Sequence, residues 1–166
     1  MASAKTIQTN NSLDIKEQIQ NHFLSNEDIK ITQNKIIKTC FDDILKKICF
    51  NLDSDNILLD YRYFKFIASP ENYKMLIYYI VNIIQNVLKK YDTFVFHVNM
   101  NTLTLLHIEK HFTFIKMISE VLKETFPDKL RICYIYNAPF IFSKIISILS
   151  SFIDKKTQQK IQLIKE

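Results

Sequence analysis

The chain has 166 residues, 48% apolar and 23% charged, with 22 Lys and Arg against 17 acids for a net charge of +5. That suits one globular domain able to bury roughly 70% of its unfolded surface without disulfide or metal staples. There is no glycine, which excludes the P-loop, the dinucleotide fingerprint, the kinase glycine-rich loop, the EF-hand loop and the Gly-x-Ser-x-Gly elbow.

Residues 1–11 are polar, lack the apolar stretch of a signal peptide and are expected to form a disordered arm ahead of a single domain over 12–166. Ser12 can cap a short helix to about Phe23. Thr32 can cap a longer one over Gln33–Phe50, where Ile36, Ile37, Cys40, Phe41, Ile44, Leu45 and Ile48 recur at helical spacing. Asn51–Asn56 reads as a turn, and Ile57–Ile67 alternates apolar and polar residues as a strand does. Ser69-Pro70-Glu71 supplies cap, proline and acid to start a largely buried helix running to about Lys90.

Thr93–Asn99 reads as a strand and Thr104–Thr125 as an amphipathic helix with Leu105, Ile108, Phe112, Ile115, Ile118 and Leu122 inward. Phe126-Pro127-Asp128 is a turn, Leu130–Tyr136 a strand, and Asn137-Ala138-Pro139 a second turn. Phe140–Ile153 is a helix and Lys160–Ile164 a short final strand. The alternation of strands and helices predicts an α/β fold with a mainly parallel sheet flanked by helices.

Little in the chain carries chemistry. Cys40, Cys49 and Cys133 form no CxxC pair and read as free thiols of a reducing, cytoplasmic compartment. His107 and His111 are four apart, but Ile108 stands where a zincin needs Glu, leaving two surface histidines as the plainer reading and no metal site. Asp53-Ser54-Asp55 lacks the glycine of a calcium loop and reads as a turn. The aromatics fall at core spacing rather than as a base-stacking platform, and the lysines are dispersed, so no nucleic-acid partner is expected.

Met75–Leu88 and Phe140–Ile153 are the most apolar stretches, and both fall short of the roughly 20 residues that span a bilayer. A soluble or peripheral protein is expected. Phe140–Ile153 is apolar over more than half its circumference, so it is either buried on two sides or turned toward a cavity or membrane.

The run FPDKLRICYIYNAPFIFSKIISILSSFIDKKTQQKIQL, Phe126 to Leu163, resembles the signature of the CRAL-TRIO family, the lipid-binding fold of the phosphatidylinositol-transfer proteins. The shared features are an aromatic-Pro-acid turn, a strand ending in Asn-Ala-Pro-Phe, an amphipathic helix, an acid-containing turn and a Thr-x-x-Lys-Ile strand entry. The resemblance implies a hydrophobic lipid pocket under a gate helix, here Phe140–Ile153, that swings open at membranes.

It implies a headgroup site at Asp128, Thr157 and Lys160, able to meet inositol hydroxyls and phosphate. Asp128 stands where the inositol-binding members usually have Glu and reaches one methylene less far. Ile132, Tyr134, Phe140, Phe142, Ile145, Ile148 and Leu149 are the expected pocket and gate residues.

The implied function is non-enzymatic: binding a phospholipid, foremost phosphatidylinositol, and transferring or presenting it through transient contact with a membrane surface. The bound phospholipid would be a ligand, with no cofactor. A lipid-independent protein-interaction scaffold of the same fold is the alternative. The helical N-terminal subdomain and final helix of the family are not recognisable. The resemblance therefore implies a minimal pocket, more open, or covered by the N-terminal helices or by a second copy in a homodimer.

Overall fold

The computed structural model describes residues 15–22 and 41–165. The chain falls into two units, Met1–Thr39 and Cys40–Glu166. In the first, residues 15–22 are helical. The predicted arm over 1–11, the Ser12 and Thr32 caps, residues 33–40 of the predicted second helix, and Cys40 lie outside the described residues.

The second unit begins with α1, Phe41–Ile48, which has Asp42 and Asp43 in its first turn and Lys46 and Lys47 in its last, matching the helix dipole at both ends. It passes directly into β1, Cys49–Asp53, which pairs antiparallel with β2, Asn56–Asp60. The expected helix to Phe50 and plain turn over Asn51–Asn56 are thus a helix end and a hairpin. Polar side chains hold the bend. Asn51 Nδ2 donates to the Ser54 and Asn56 carbonyls, and Asp53 Oδ1 accepts from the Ser54 amide at 2.8 Å.

β2 stops at Asp60, whose carboxylate accepts from the Arg62 amide at 3.0 Å and caps α2, Tyr61–Ile67. The predicted strand over Ile57–Ile67 is therefore half strand and half helix. The Arg62 guanidinium folds back onto the same carboxylate at 2.8 Å, with both side chains almost wholly buried. A buried acid is tolerable when a paired cation answers it in this way.

The helix expected from Pro70 starts as regular α3 only at Tyr73 and runs to Leu88. Asn72 organises the entry: its Oδ1 accepts from the Ser69 amide and its Nδ2 donates to the Ile67 carbonyl. β3 spans Phe94–Asn99. The single helix predicted over Thr104–Thr125 is two: α4, Leu105–Lys110, capped by Thr104, and α5, Phe112–Thr125. His111 interrupts them with φ −104° and ψ 18°.

β4 spans Leu130–Tyr136, as predicted, and α6 spans Phe142–Leu149. α7, Lys155–Gln159, is a short helix absent from the sequence reading, started by Asp154, whose side chain accepts from the Thr157 amide. β5 spans Ile161–Leu163.

The five strands lie in the order β1-β2-β3-β4-β5, all neighbours parallel except β1 with β2. Register places Ile57, Phe96, Cys133 and Ile161 in one row across the sheet, and Leu59, Val98, Ile135 and Leu163 two residues further on. Side chains alternate along strands, so both rows share a face. Leu58, His97, Tyr134 and Gln162 form a row on the other.

With no glycine in the chain, left-handed turns fall to other residues: Ser54, Thr102, Asp128 and Asn137 all have φ between 53° and 70°. Asp and Asn are the side chains that tolerate this region best.

Candidate ligand-binding cavity

The first sheet face forms the floor of a cavity of about 300 Å³. β2 contributes Leu59, β3 Phe96 and Val98, β4 Cys133 and Ile135, and β5 Ile161. Ile108 of α4, with Phe114, Ile115, Ile118 and Leu122 of α5, forms one wall. Phe142, Ile145, Ile146 and Leu149 of α6 form another. The volume lies at the low end of small-molecule sites, which run from about 300 to 1,000 Å³. Burial pushes the Cys133 thiol up to about 12, so at neutral pH this wall residue is an unreactive apolar group.

The polar groups of the wall sit at the C-terminal ends of the parallel strands, where α/β sheets place ligand sites. They are Asp60, Tyr61, His107 and His111. His111 is 4% exposed and its Nδ1 lies 2.8 Å from the Tyr73 hydroxyl. Burial, then the Lys110 and His107 charges, hold its pKa below the usual histidine value. The two histidines are therefore wall residues rather than the surface pair expected from spacing. The break at His111 also takes them off a single regular helix.

The sequence-predicted residues divide by location. Phe142, Ile145 and Leu149 line the cavity. Ile132 and Tyr134 alternate with the lining residues Cys133 and Ile135, and Tyr134 stacks on His97 at 5.3 Å on the other sheet face. Phe140 is 99% exposed and Ile148 37%, both away from the lining.

Asp128, Thr157 and Lys160 gather at the opposite end of the strands, in the turn before β4 and the segment before β5. Asp128 Oδ1 accepts from Lys156 Nζ at 2.6 Å, and that bond, with the Lys156 and Lys160 charges, holds its carboxyl below the usual range. Lys160 Nζ donates to the Leu130 carbonyl at 2.6 Å. Thr157 is placed by the Asp154 cap, its amide donating at 2.7 Å. Lys156 is the member of this rim that the sequence reading did not single out. It lies within the same Asp-Lys-Lys-Thr run and is brought to Asp128 by the turn of α7.

Among the described residues no cluster of His, Cys, Asp and Glu could hold a metal ion, and no helix is long and apolar enough to cross a membrane. A parallel sheet flooring an apolar cavity, with an amphipathic helix along one wall, defines an α/β ligand-binding domain. The CRAL/TRIO domain model matches residues 57–166, well over half the chain, and the chain belongs to that family.

The crystal structure of Sfh5 is similar, with a TM-score of 0.63 and 13% sequence identity over 76% of this chain and 50% of that one. The likeness is one of fold, and the chain spans half the length of Sfh5. No curated protein matches the sequence. At the level of the family the function is the binding of lipids and small ligands.

Proposed function

We propose that the chain is a non-enzymatic lipid carrier of the cytoplasm that visits membranes peripherally, takes one phospholipid, foremost phosphatidylinositol, into the cavity, and transfers or presents it. The observation that carries this reading is α6. Its inner face, Phe142, Ile145 and Leu149, lines the cavity, while Phe140 and Ile148 beside them stand in solvent. A helix whose apolar inner face lines the cavity, whose solvent side carries Ser143, Lys144 and Ser147 beside Ile148, and whose entry leaves Phe140 bare suits a gate that covers the cavity in water and meets acyl chains at a bilayer.

A cavity of about 300 Å³ is small for two acyl chains, so in this reading uptake moves α6 outward. Each chain methylene then buried contributes about 0.8 kcal/mol. The Asp128–Thr157–Lys160 rim supports a phosphate and polyol headgroup: Lys160 and Lys156 supply cations, Thr157 a hydroxyl donor, and Asp128 an acceptor.

Transfer of labelled phosphatidylinositol between vesicles tests this reading. Lys160→Ala is expected to lower transfer about tenfold, the loss of one charge-assisted contact, while the chain stays folded and its melt falls only by the lost bond to the Leu130 carbonyl. Undiminished transfer by the folded variant would remove the headgroup assignment. Failure of the wild-type chain to take up any lipid would favour the lipid-independent scaffold.

A further inference from the structure

From Asn137 to Ser151 the chain makes one polar contact with other elements among the described residues. Asn137 Nδ2 donates to Asn99 Oδ1 at 3.1 Å. The remaining hydrogen bonds of this stretch are internal: the Phe142 amide to the Pro139 carbonyl, the Ile145 amide to the Ile141 carbonyl, and the Ser150 and Ser151 hydroxyls to the Ser147 and Ile148 carbonyls. α6 is otherwise seated by apolar contacts, with Ile145 and Leu149 buried in one cluster with Leu103 and Ile108.

Register places the bond. β3 and β4 run parallel and end side by side at Asn99 and Tyr136, so the Asn99 side chain meets the first residue beyond β4. Asn137 holds φ at 54°, a left-handed setting that asparagine tolerates better than most residues. Asn99 is wholly buried, and its Oδ1 also accepts from the Asn101 amide at 3.0 Å.

Two donors thus fix the oxygen, while Asn99 Nδ2 is buried with no partner among the described residues. Turning the amide over would set its N–H groups against both donors. The resting arrangement satisfies the turn and leaves Nδ2 unmet. Departure of Asn137 frees the Asn99 amide to rotate toward a partner or water, which offsets part of the lost bond. That suits a fastening that opens rather than a permanent tie.

We infer that Asn99 and Asn137 are the latch of α6: their bond sets the resting position of the helix over the cavity and how often the helix leaves it. The pivot is the turn at Asn137, since a few residues at the end of an element absorb such a rotation. The apolar contacts of Ile145 and Leu149 can be exchanged for contacts with acyl chains. The amide bond is directional and has no such substitute, so it returns the helix to one position. Neither asparagine lines the cavity, so the latch acts on the rates of entry and exit more than on affinity. The inference rests on the reading of α6 as a movable gate.

Cys133 reports the opening without any ligand. Its thiol lies in the cavity wall, where burial keeps it unreactive at neutral pH, and exposure to water restores its reactivity. Cys49 is fully buried outside the cavity lining and reports unfolding instead. The full chain is labelled with dilute iodoacetamide, and each cysteine is read separately by peptide mass spectrometry. In Asn137→Gly, which keeps the turn but loses the side chain, Cys133 should label about fivefold faster than in wild type, the net contribution of one hydrogen bond. Asn137→Asp keeps the tolerance for the turn, lacks the donor, and should accelerate labelling likewise. In all three chains Cys133 should label faster than Cys49.

Equal Cys133 rates in the three chains, still ahead of Cys49, would overturn the latch and leave a movable α6 in place. Acceleration in Asn137→Gly alone would overturn it too, because backbone freedom rather than the amide donor would then control opening. Labelling of Cys133 no faster than Cys49 in every chain would overturn the latch and the movable gate together.

Discussion

His97 shows how a single side chain ties stability to pH. On β3 it stacks against Tyr134, its Nδ1 lies 2.8 Å from the Tyr136 hydroxyl, and its Nε2 lies 2.8 Å from Asn56 Oδ1. A neutral ring that donates from Nε2 to Asn56 and accepts at Nδ1 from Tyr136 satisfies all three groups; a protonated ring does not. Burial pushes its pKa down to about 4, against a partial opposing pull from Asp55.

The unfolded chain therefore takes up this proton near pH 6.5 and the folded chain only near 4, so stability present above 6.5 drains away as pH falls through that interval. The loss is expected to reach up to about 3 kcal/mol. His111, whose pKa is also lowered, adds in the same direction. Urea melts at pH 7 and pH 4.5 measure it, and His97→Gln should flatten the difference in part. Equal stability at the two pH values would contradict the buried neutral ring.

At this same scale the sequence is least legible. LRICYIY carries bulky apolar residues at both parities, so nothing in it says whether Cys133 and Ile135 or Ile132 and Tyr134 face the cavity. Only the register with β3 decides.

The elements divide by how strongly their own residues specify them. Leu130–Tyr136 is readable because a turn bounds it on each side, and Thr104 marks the start of α4 through its cap. α2 misleads because Tyr61, Tyr63, Phe64 and Phe66 favour strands intrinsically. The signal against a strand is Asp60, a cap residue directly before them. β1 is hidden because helical periodicity runs unbroken through Ile48 and no breaker separates α1 from Cys49. α7 has no apolar stripe and is announced only by Asp154.

α6 is legible as an unusually apolar helix, and Phe140, in the turn that enters it, makes the element-scale prediction. Phe140→Ala removes a fully exposed apolar group, so thermal stability should change by less than about 0.5 kcal/mol. Binding to phospholipid vesicles should weaken tenfold or more, since burying one such side chain in lipid contributes about 1.5–3 kcal/mol. Sedimentation with vesicles reads this directly. Undiminished binding would move the membrane-facing surface away from α6.

For the molecule as a whole, the sheet does the organising. Four parallel-linked strands place two polar regions at opposite ends of the sheet: Asp128, Lys156, Thr157 and Lys160 before β4 and β5, and the cavity-lining Tyr61, His107 and His111 after β2 and β3. Asp128, Thr157 and Lys160 of the first region are visible in the sequence because they fall within one motif; Lys156 is not, because only the turn of α7 brings it to Asp128. The second region is not visible there, because Tyr61 and His107 are brought together only by the parallel pairing of β2 with β3.

Native mass spectrometry of the purified chain, after incubation with phospholipid vesicles and followed by solvent extraction, tests the central claim most directly. One apolar molecule per chain, identified in the extract as a lipid and lost when Ile145→Asp places a charge in the cavity wall, is the predicted result. A wild-type chain that emerges at its bare mass from vesicles of every headgroup composition, phosphatidylinositol included, would contradict it.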